Sequence, residues 1–302
     1  MTKLCKLAIG IGIMLGTPWL AMSDVTGQEV RRMAQDEAQL LTDRGRQALT
    51  EGEYAEAEQL LKRALALREK ALGQEHPDTA KSLDNLADVY SEQGTPALAE
   101  PLLKRALAIR EKVLDQEHPD IATSLERLAQ AHVGQAEDNL AKPLLERALT
   151  IREKALGEEH PDTAKILHVL ACLYAFEGNH AAAEPLHKRA LAIREKVLGE
   201  KHPDTATSLD KLAKLYLEQK KYAEAEPLLK RVLAFQEREY GREALETAYA
   251  LDELAGLYEA QRNYAAAVPL YERSLAIYRS IDNPNAKVVT RKLNELRSKM
   301  GK

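Results

Sequence analysis

The tripeptide His-Pro-Asp begins at His76, His118, His160 and His202, each 42 residues after the one before. A fixed interval of that length marks an array of one supersecondary unit, which cannot bury its apolar face alone and must stack on copies of itself. The nine residues 104–112 recur letter for letter at 188–196, and nearly so at 62–70 and 146–154. Stepping outward by the same interval divides the chain into repeats 34–75, 76–117, 118–159, 160–201, 202–243 and 244–285. A short segment, 24–33, precedes them and a tail, 286–302, follows.

Each repeat reads as helix, turn, helix. Leu83, Leu86, Ala87 and Tyr90 fall at helical spacing, as do Ala99, Leu102, Leu103, Ala106, Leu107 and Ile109, with Gly94 between the two sets. Pro77 stops the preceding helix, and Asp78 is the expected N-cap of the next. Alternating Leu and Ala lets helices approach closely, which suits a chain with only 5% aromatic residues. No segment alternates with the period of two that a strand requires. The second helices carry Glu58/Lys62, Glu100/Lys104, Glu184/Lys188 and Glu226/Lys230, reversed to Lys142/Glu146 in the third repeat. These pairs are expected on a solvated outer face. In the tail, Val288, Val289, Leu293 and Leu296 form an inner stripe and Lys287, Arg291, Lys292, Arg297 and Lys299 a wet one, so 286–302 is expected to be a capping helix. The helix from Val25 to about Leu49 would be a weaker cap at the other end.

Composition removes whole classes of function. The chain is 45% hydrophobic and 30% charged with a net charge of -4, neither disordered nor a basic nucleic-acid binder. Two Cys exclude a disulfide scaffold and any multi-Cys zinc site. At the N-terminus, Lys3 and Lys6 precede an apolar run through Ile9, Ile11, Ile13 and Leu15, and Ala21 and Ser23 follow. That is the layout of a signal peptide, 1–23, cleaved before Asp24, giving an exported protein with no membrane span after processing. The alternative is an N-terminal membrane anchor, which the Gly and Pro interruptions disfavour.

The pattern Leu83-x-x-Leu-Ala-x-x-Tyr90 followed by Ala99, Leu103 and Ala106 resembles the tetratricopeptide repeat, and the 42-residue period with its His-Pro-Asp opening resembles the kinesin-light-chain type. Departures occur at Arg44, Gly45 and Ala48 in the first repeat, and at His132 and the turn 134–138 in the third. The resemblance implies an all-α, right-handed α-solenoid of helix-turn-helix repeats. Its concave groove, lined by the first helix of each repeat, would bind a peptide or protein segment, making the chain a non-enzymatic interaction scaffold without cofactors. The Lys/Asn pair with which some members hold a chaperone tail has no counterpart among Asp84/Asp88, His168/Cys172 or Asp210/Lys214.

Candidate chemistry is sparse. A His needed four times at one interval serves a turn and cap rather than a metal. His168 and Cys172, one helical turn apart, have a two-ligand spacing and are the basis of an alternative reading as an enzyme or metal-dependent protein. The groove ends read as acidic, through Asp84, Asp88 and Glu92 and through Asp252, Glu253 and Glu259. The middle offers Lys165, His168, Val169, Cys172, Phe176, Lys211, Lys214 and Leu217 as the expected binding site. An apolar patch with flanking ammonium groups suits a partner segment bringing a large side chain and a carboxylate. Phe176 is the candidate anchor, because other repeats carry Glu92, Gly134, Glu218 and Ala260 at its position.

Overall fold

The computed structural model describes residues 19–301, with side chains from residue 27 onward. Thirteen helices and no strand occur among them. The chain divides into two compact units at Leu144 and Leu145. The N-terminal unit holds α1 (Trp19–Thr50), α2 (Tyr54–Leu72), α3 (Pro77–Glu92), α4 (Pro96–Val113), α5 (Pro119–Gly134) and the start of α6 (Asp138–Leu156). The C-terminal unit holds the rest of α6, then α7 (Pro161–Phe176), α8 (His180–Val197), α9 (Pro203–Glu218), α10 (Tyr222–Glu239), α11 (Leu245–Ala260), α12 (Tyr264–Ser280) and α13 (Asn285–Met300). Within each unit, helices pack on their chain neighbours and on the first helix of the next pair, α1 against α3 and α7 against α9. This is the expected array of helical hairpins. The proposed signal peptide falls largely on residues 1–18, outside those described. No described helix is long and apolar enough to cross a membrane.

The His-Pro-Asp motif is a cap, but the capping residue is the histidine and not the aspartate. His76 Nδ1 accepts from the Asp78 N–H at 3.1 Å, and His118, His160 and His202 do the same for Asp120, Asp162 and Asp204, each at 3.1 Å. Proline has no N–H to lose and is at home as the first helical residue, which pushes Asp inside the first turn, where its charge meets the positive end of the dipole. A second clasp backs the cap. Thr79, Thr163 and Thr205 donate to the carbonyls of Gly73, Gly157 and Gly199 at 2.8, 3.1 and 2.9 Å. Thr247 keeps this bond to Gly241 at 2.7 Å, which holds the same turn in the sixth repeat after its His-Pro-Asp is lost.

The acid-base pairs on the second helices form at 2.6, 2.5, 2.6 and 2.7 Å, yet they are not merely a solvated face. Tyr90, Tyr216 and Tyr258 donate to Glu58, Glu184 and Glu226 at 3.1, 3.4 and 2.8 Å, so the acid ties its helix to the next repeat. Where the charges are reversed, Tyr174 finds Glu146 at 2.8 Å, one turn further along the same helix.

Turns inside the repeats use the left-handed region. Gly52, Gly94 and Gly178 have φ of 81°, 69° and 76°, while Ala136, Lys220 and Arg262 occupy the same register at 59°, 58° and 58°. The third repeat's turn is thus one of three that lack glycine at this left-handed position, not a lone exception. Gly45 in α1 serves packing instead, because a Cβ there would stand 2.8 Å from Leu61 Cγ and its absence lets α1 and α2 touch. In α13, Val289, Leu293 and Leu296 are buried as expected against Tyr271, Leu275 and Tyr278. Val288 is exposed instead, at the edge of this stripe.

Candidate functional site

All eight expected site residues lie in the C-terminal unit, five on α7 and three on α9, which pack side by side. Phe176, the last residue of α7, is 85% exposed, so it does not pack over the next helix. Val169 is half-buried, and Leu217 packs on the core around Leu212, Leu215 and Tyr216. Lys211 is exposed and Lys165 pairs with Asp162 at 2.9 Å. Lys214 is not the available ammonium group the sequence implied: it bridges Asp210 and Glu253, both at 2.9 Å. Beside it a cavity of about 300 Å3 opens between α9, α10 and α11, lined by Phe235, Gln236, Tyr249 and Glu253. Sequence reading gave no sign of this cavity, because two of its walls come from helices a full repeat apart.

The acidic groove ends are likewise largely partnered within the chain. Asp84 is buried in an ion pair with Arg110, and Asp88 meets Arg127 at 2.7 Å. Asp252 accepts from Ser274 and Tyr278, Glu253 from Lys214, and Glu259 from Tyr271. Between α1, α3 and α5 of the N-terminal unit, a cavity of about 490 Å3 brings Arg46, Lys81, Asn85 and Arg127 to one face.

His168 and Cys172 are brought together, with Nε2 and Sγ 3.9 Å apart. The structure adds a third residue that sequence reading missed. His187 of α8 is 2% exposed and meets the His168 ring edge to face, 5.8 Å between centroids. Its signal lay in the register, since the other repeats carry Leu61, Leu103, Leu145, Leu229 and Tyr271 there. Burial holds both imidazoles down to about 4, helped at His168 by Arg194 and Lys211, and at His187 by His168 and then those cations. Burial also pushes the Cys172 thiol up. A protonated thiol beside a neutral imidazole is a poor nucleophile, so the pair is not arranged as a thiolate-imidazolium couple.

In the N-terminal unit, Glu100, His132 and Glu137 place one donor atom each within 4.8 Å of the others. These donors already serve one another and their neighbours. His132 Nδ1 meets Glu137 at 2.7 Å, while Lys104 and Gln135 hold Glu100 at 2.5 and 2.8 Å.

This geometry of stacked helical hairpins agrees with comparison to known proteins. The tetratricopeptide repeat family model matches residues 36–112, 92–154, 120–196, 174–238 and 219–280. The chain belongs to the tetratricopeptide repeat family. Among solved structures it is similar to a Podosopora anserina protein with nearly identical TPR-like repeats of the kinesin light chain kind. That match has 32% identity and a TM-score of 0.61, covering 68% of this chain and 98% of that one. It also shares its fold with BtubC (BKLC) of P. vanneervenii, at 19% identity and a TM-score of 0.61 over 85% of this chain and 92% of that one. A third similarity is to the STAND protein with a tetratricopeptide repeat sensor from Pyrococcus horikoshii, at 20% identity and a TM-score of 0.71 over 91% and 41%. No curated protein matches the sequence. Tetratricopeptide repeat proteins are generally protein-interaction scaffolds, and the repeats occupy most of this chain.

Proposed function

We propose that the chain is a non-enzymatic scaffold that holds an extended protein segment along the first-helix face of its C-terminal unit. The observation that carries this reading is Phe176, a large aromatic side chain left 85% exposed at a register position where the fold accepts Glu, Gly or Ala. Exposed single aromatics are common on surfaces, but here the residue ends the same helix that presents Lys165, Val169 and Cys172. The cavity lined by Phe235 and Tyr249 supplies a second apolar recess in that unit. The segment suited to this face brings a large apolar side chain and a carboxylate, the latter meeting Lys211 and not the already bridged Lys214. Phe176→Ala should weaken binding by ~1–3 kcal/mol and leave the melting temperature unchanged, and Lys211→Glu should mainly slow association. If Phe176→Ala lowers the melting temperature and leaves affinity alone, the face is wrongly chosen.

We also propose that the protein is exported, a reading supported by Lys3, Lys6, the apolar run after them and Ala21-x-Ser23. Mature protein from the native cell should begin at Asp24. Intact Met1 on a soluble cytoplasmic protein would refute export.

A further inference from the structure

The fifth repeat, 202–243, breaks a pattern that its neighbours keep. Where Arg68, Arg110, Arg152 and Arg194 stand in the first four repeats, and Tyr278 in the sixth, it carries Gln236. The serine that takes the arginine at three other boundaries, Ser82, Ser124 or Ser208, is here Ala250. The carboxylate of the layer is nevertheless kept. Arg110 serves Asp84 and Tyr278 serves Asp252 from the second helix, whereas Asp210 takes Lys214 from its own helix, at 2.9 Å, and shares that ammonium group with Glu253.

The cavity of about 300 Å3 between α9, α10 and α11 opens at this layer. Its lining sets three carboxylates, Asp210, Glu246 and Glu253, against one ammonium group, Lys214. Burial pushes the Glu253 carboxyl up against the pull of Lys214, and Asp210 adds to the rise, as expected where positive charge falls short. Gln236 also lines the cavity, and its Oε1 is buried without a hydrogen-bond partner. Such an acceptor costs free energy until a donor reaches it. Arg238 does not supply one: it lies over the Phe235 ring, 5.2 Å from the centroid, and donates to the Lys201 carbonyl at 3.1 Å.

The carboxylates, the orphaned amide oxygen and the exposed ring of Tyr249 all suit a cation with several donors. A guanidinium is planar, always charged, carries five N–H donors and stacks on aromatic faces, whereas an ammonium is a compact, strongly hydrated point charge. A volume of this size, at the small end of ligand pockets, fits one side chain. We infer that the cavity takes an arginine side chain of a bound protein segment, its guanidinium donating to Gln236 Oε1 and to the Asp210 and Glu253 carboxylates. The partner's arginine thus enters from outside the layer that the other repeats fill from inside. The inference rests on the scaffold reading for the source of the arginine, and on the cavity alone for its chemistry.

The test titrates the full, isotope-labelled chain with blocked arginine (Nα-acetyl-arginine N-methylamide), and in parallel with blocked citrulline and blocked lysine, following the Gln236 side-chain amide and the Tyr249 ring by NMR. Blocked arginine should shift both signals saturably. Citrulline keeps the shape and loses the charge, while lysine keeps the charge and loses the planar fork, so each should bind at least ~10-fold more weakly. Gln236→Arg together with Ala250→Ser rebuilds the arginine–serine bond of other repeat boundaries and should abolish binding without lowering the melting temperature. Glu253→Gln keeps the shape and should weaken binding by ~10-fold or more, which decides the matter if the double variant does not fold. Phe176→Ala should bind blocked arginine as the native chain does, so a failure of the segment face on α7 and a failure of this cavity are read separately. No saturable shift in the native chain, or unchanged binding by either folded variant of the cavity, overturns the site. Citrulline or lysine binding as tightly as arginine overturns the choice of guanidinium.

Discussion

The second and fourth repeats carry the same nine residues on their second helices, at 104–112 and 188–196, and diverge in what that segment faces. In the second, Arg110 is buried between Ser124 and the Asp84 carboxylate. In the fourth, Arg194 keeps the serine bond, to Ser208, and faces the layer of His168, His187 and Cys172. Arg68 shows the same economy in the first repeat, with Ser82 at 2.6 Å and the Gln39 amide oxygen at 2.8 Å. The arginine–serine bond across the repeat boundary is thus the part these layers share. The position 26 residues before the arginine is open to variation, and that is where the fourth repeat departs.

The largest expected effect separates the two layers. Asp84→Ala leaves a buried guanidinium without its carboxylate and should cost ~3 kcal/mol in chemical denaturation. His168→Ala removes a group that pairs with no charge and should cost under ~1 kcal/mol. Equal losses would show that the two layers do the same structural work.

Acid should act on the fourth repeat next most strongly. Burial holds His168 and His187 down to about 4 in the folded chain, against an ordinary value of 6.5. The folded state therefore needs them neutral. Their contribution is whole above pH about 6.5, falls as the unfolded chain takes up protons first, and stops falling near pH 4. Denaturation midpoints followed over that window should fall more steeply for the native chain than for His187→Leu. Parallel curves would mean that the His187 imidazole is not held neutral by the fold.

The smallest effect concerns the turns. Gly178→Ala, at φ of 76°, should destabilise the fourth repeat by ~1 kcal/mol, while Lys220→Gly should stabilise the fifth by a similar amount. Hydrogen exchange across each turn would report the change locally, and no response at Lys220 would mean its left-handed backbone carries no strain.

The array itself was open to sequence reading, because period and apolar spacing are properties of consecutive residues. The paired helices of each repeat and the burial of Val289, Leu293 and Leu296 follow from them, whereas the exposure of Val288 and the choice of His76 over Asp78 as the cap do not. What escaped depends on pairs far apart in the chain. The bonds from Tyr90 to Glu58 and from Arg110 to Asp84 span 32 and 26 residues. They consume charges that a linear reading assigns to solvent or to a partner. Lys214 was misjudged for the same reason, since Glu253 comes from the following repeat. His187 was visible only as a leucine position gone polar, and its meaning required knowing that α8 lays it against His168.

The central claim is that the fourth repeat gives up packing and pairing where His168 and His187 stand. The melting temperature of the chain carrying His168→Asp and His187→Leu together tests it most directly. Arg194 would regain a carboxylate and the core a leucine. The melting temperature should therefore rise, by ~2–4 °C for each kcal/mol gained in a chain of this size. A melting temperature at or below that of the native chain would contradict the claim, because the histidine pair would then be the better way to pack this layer.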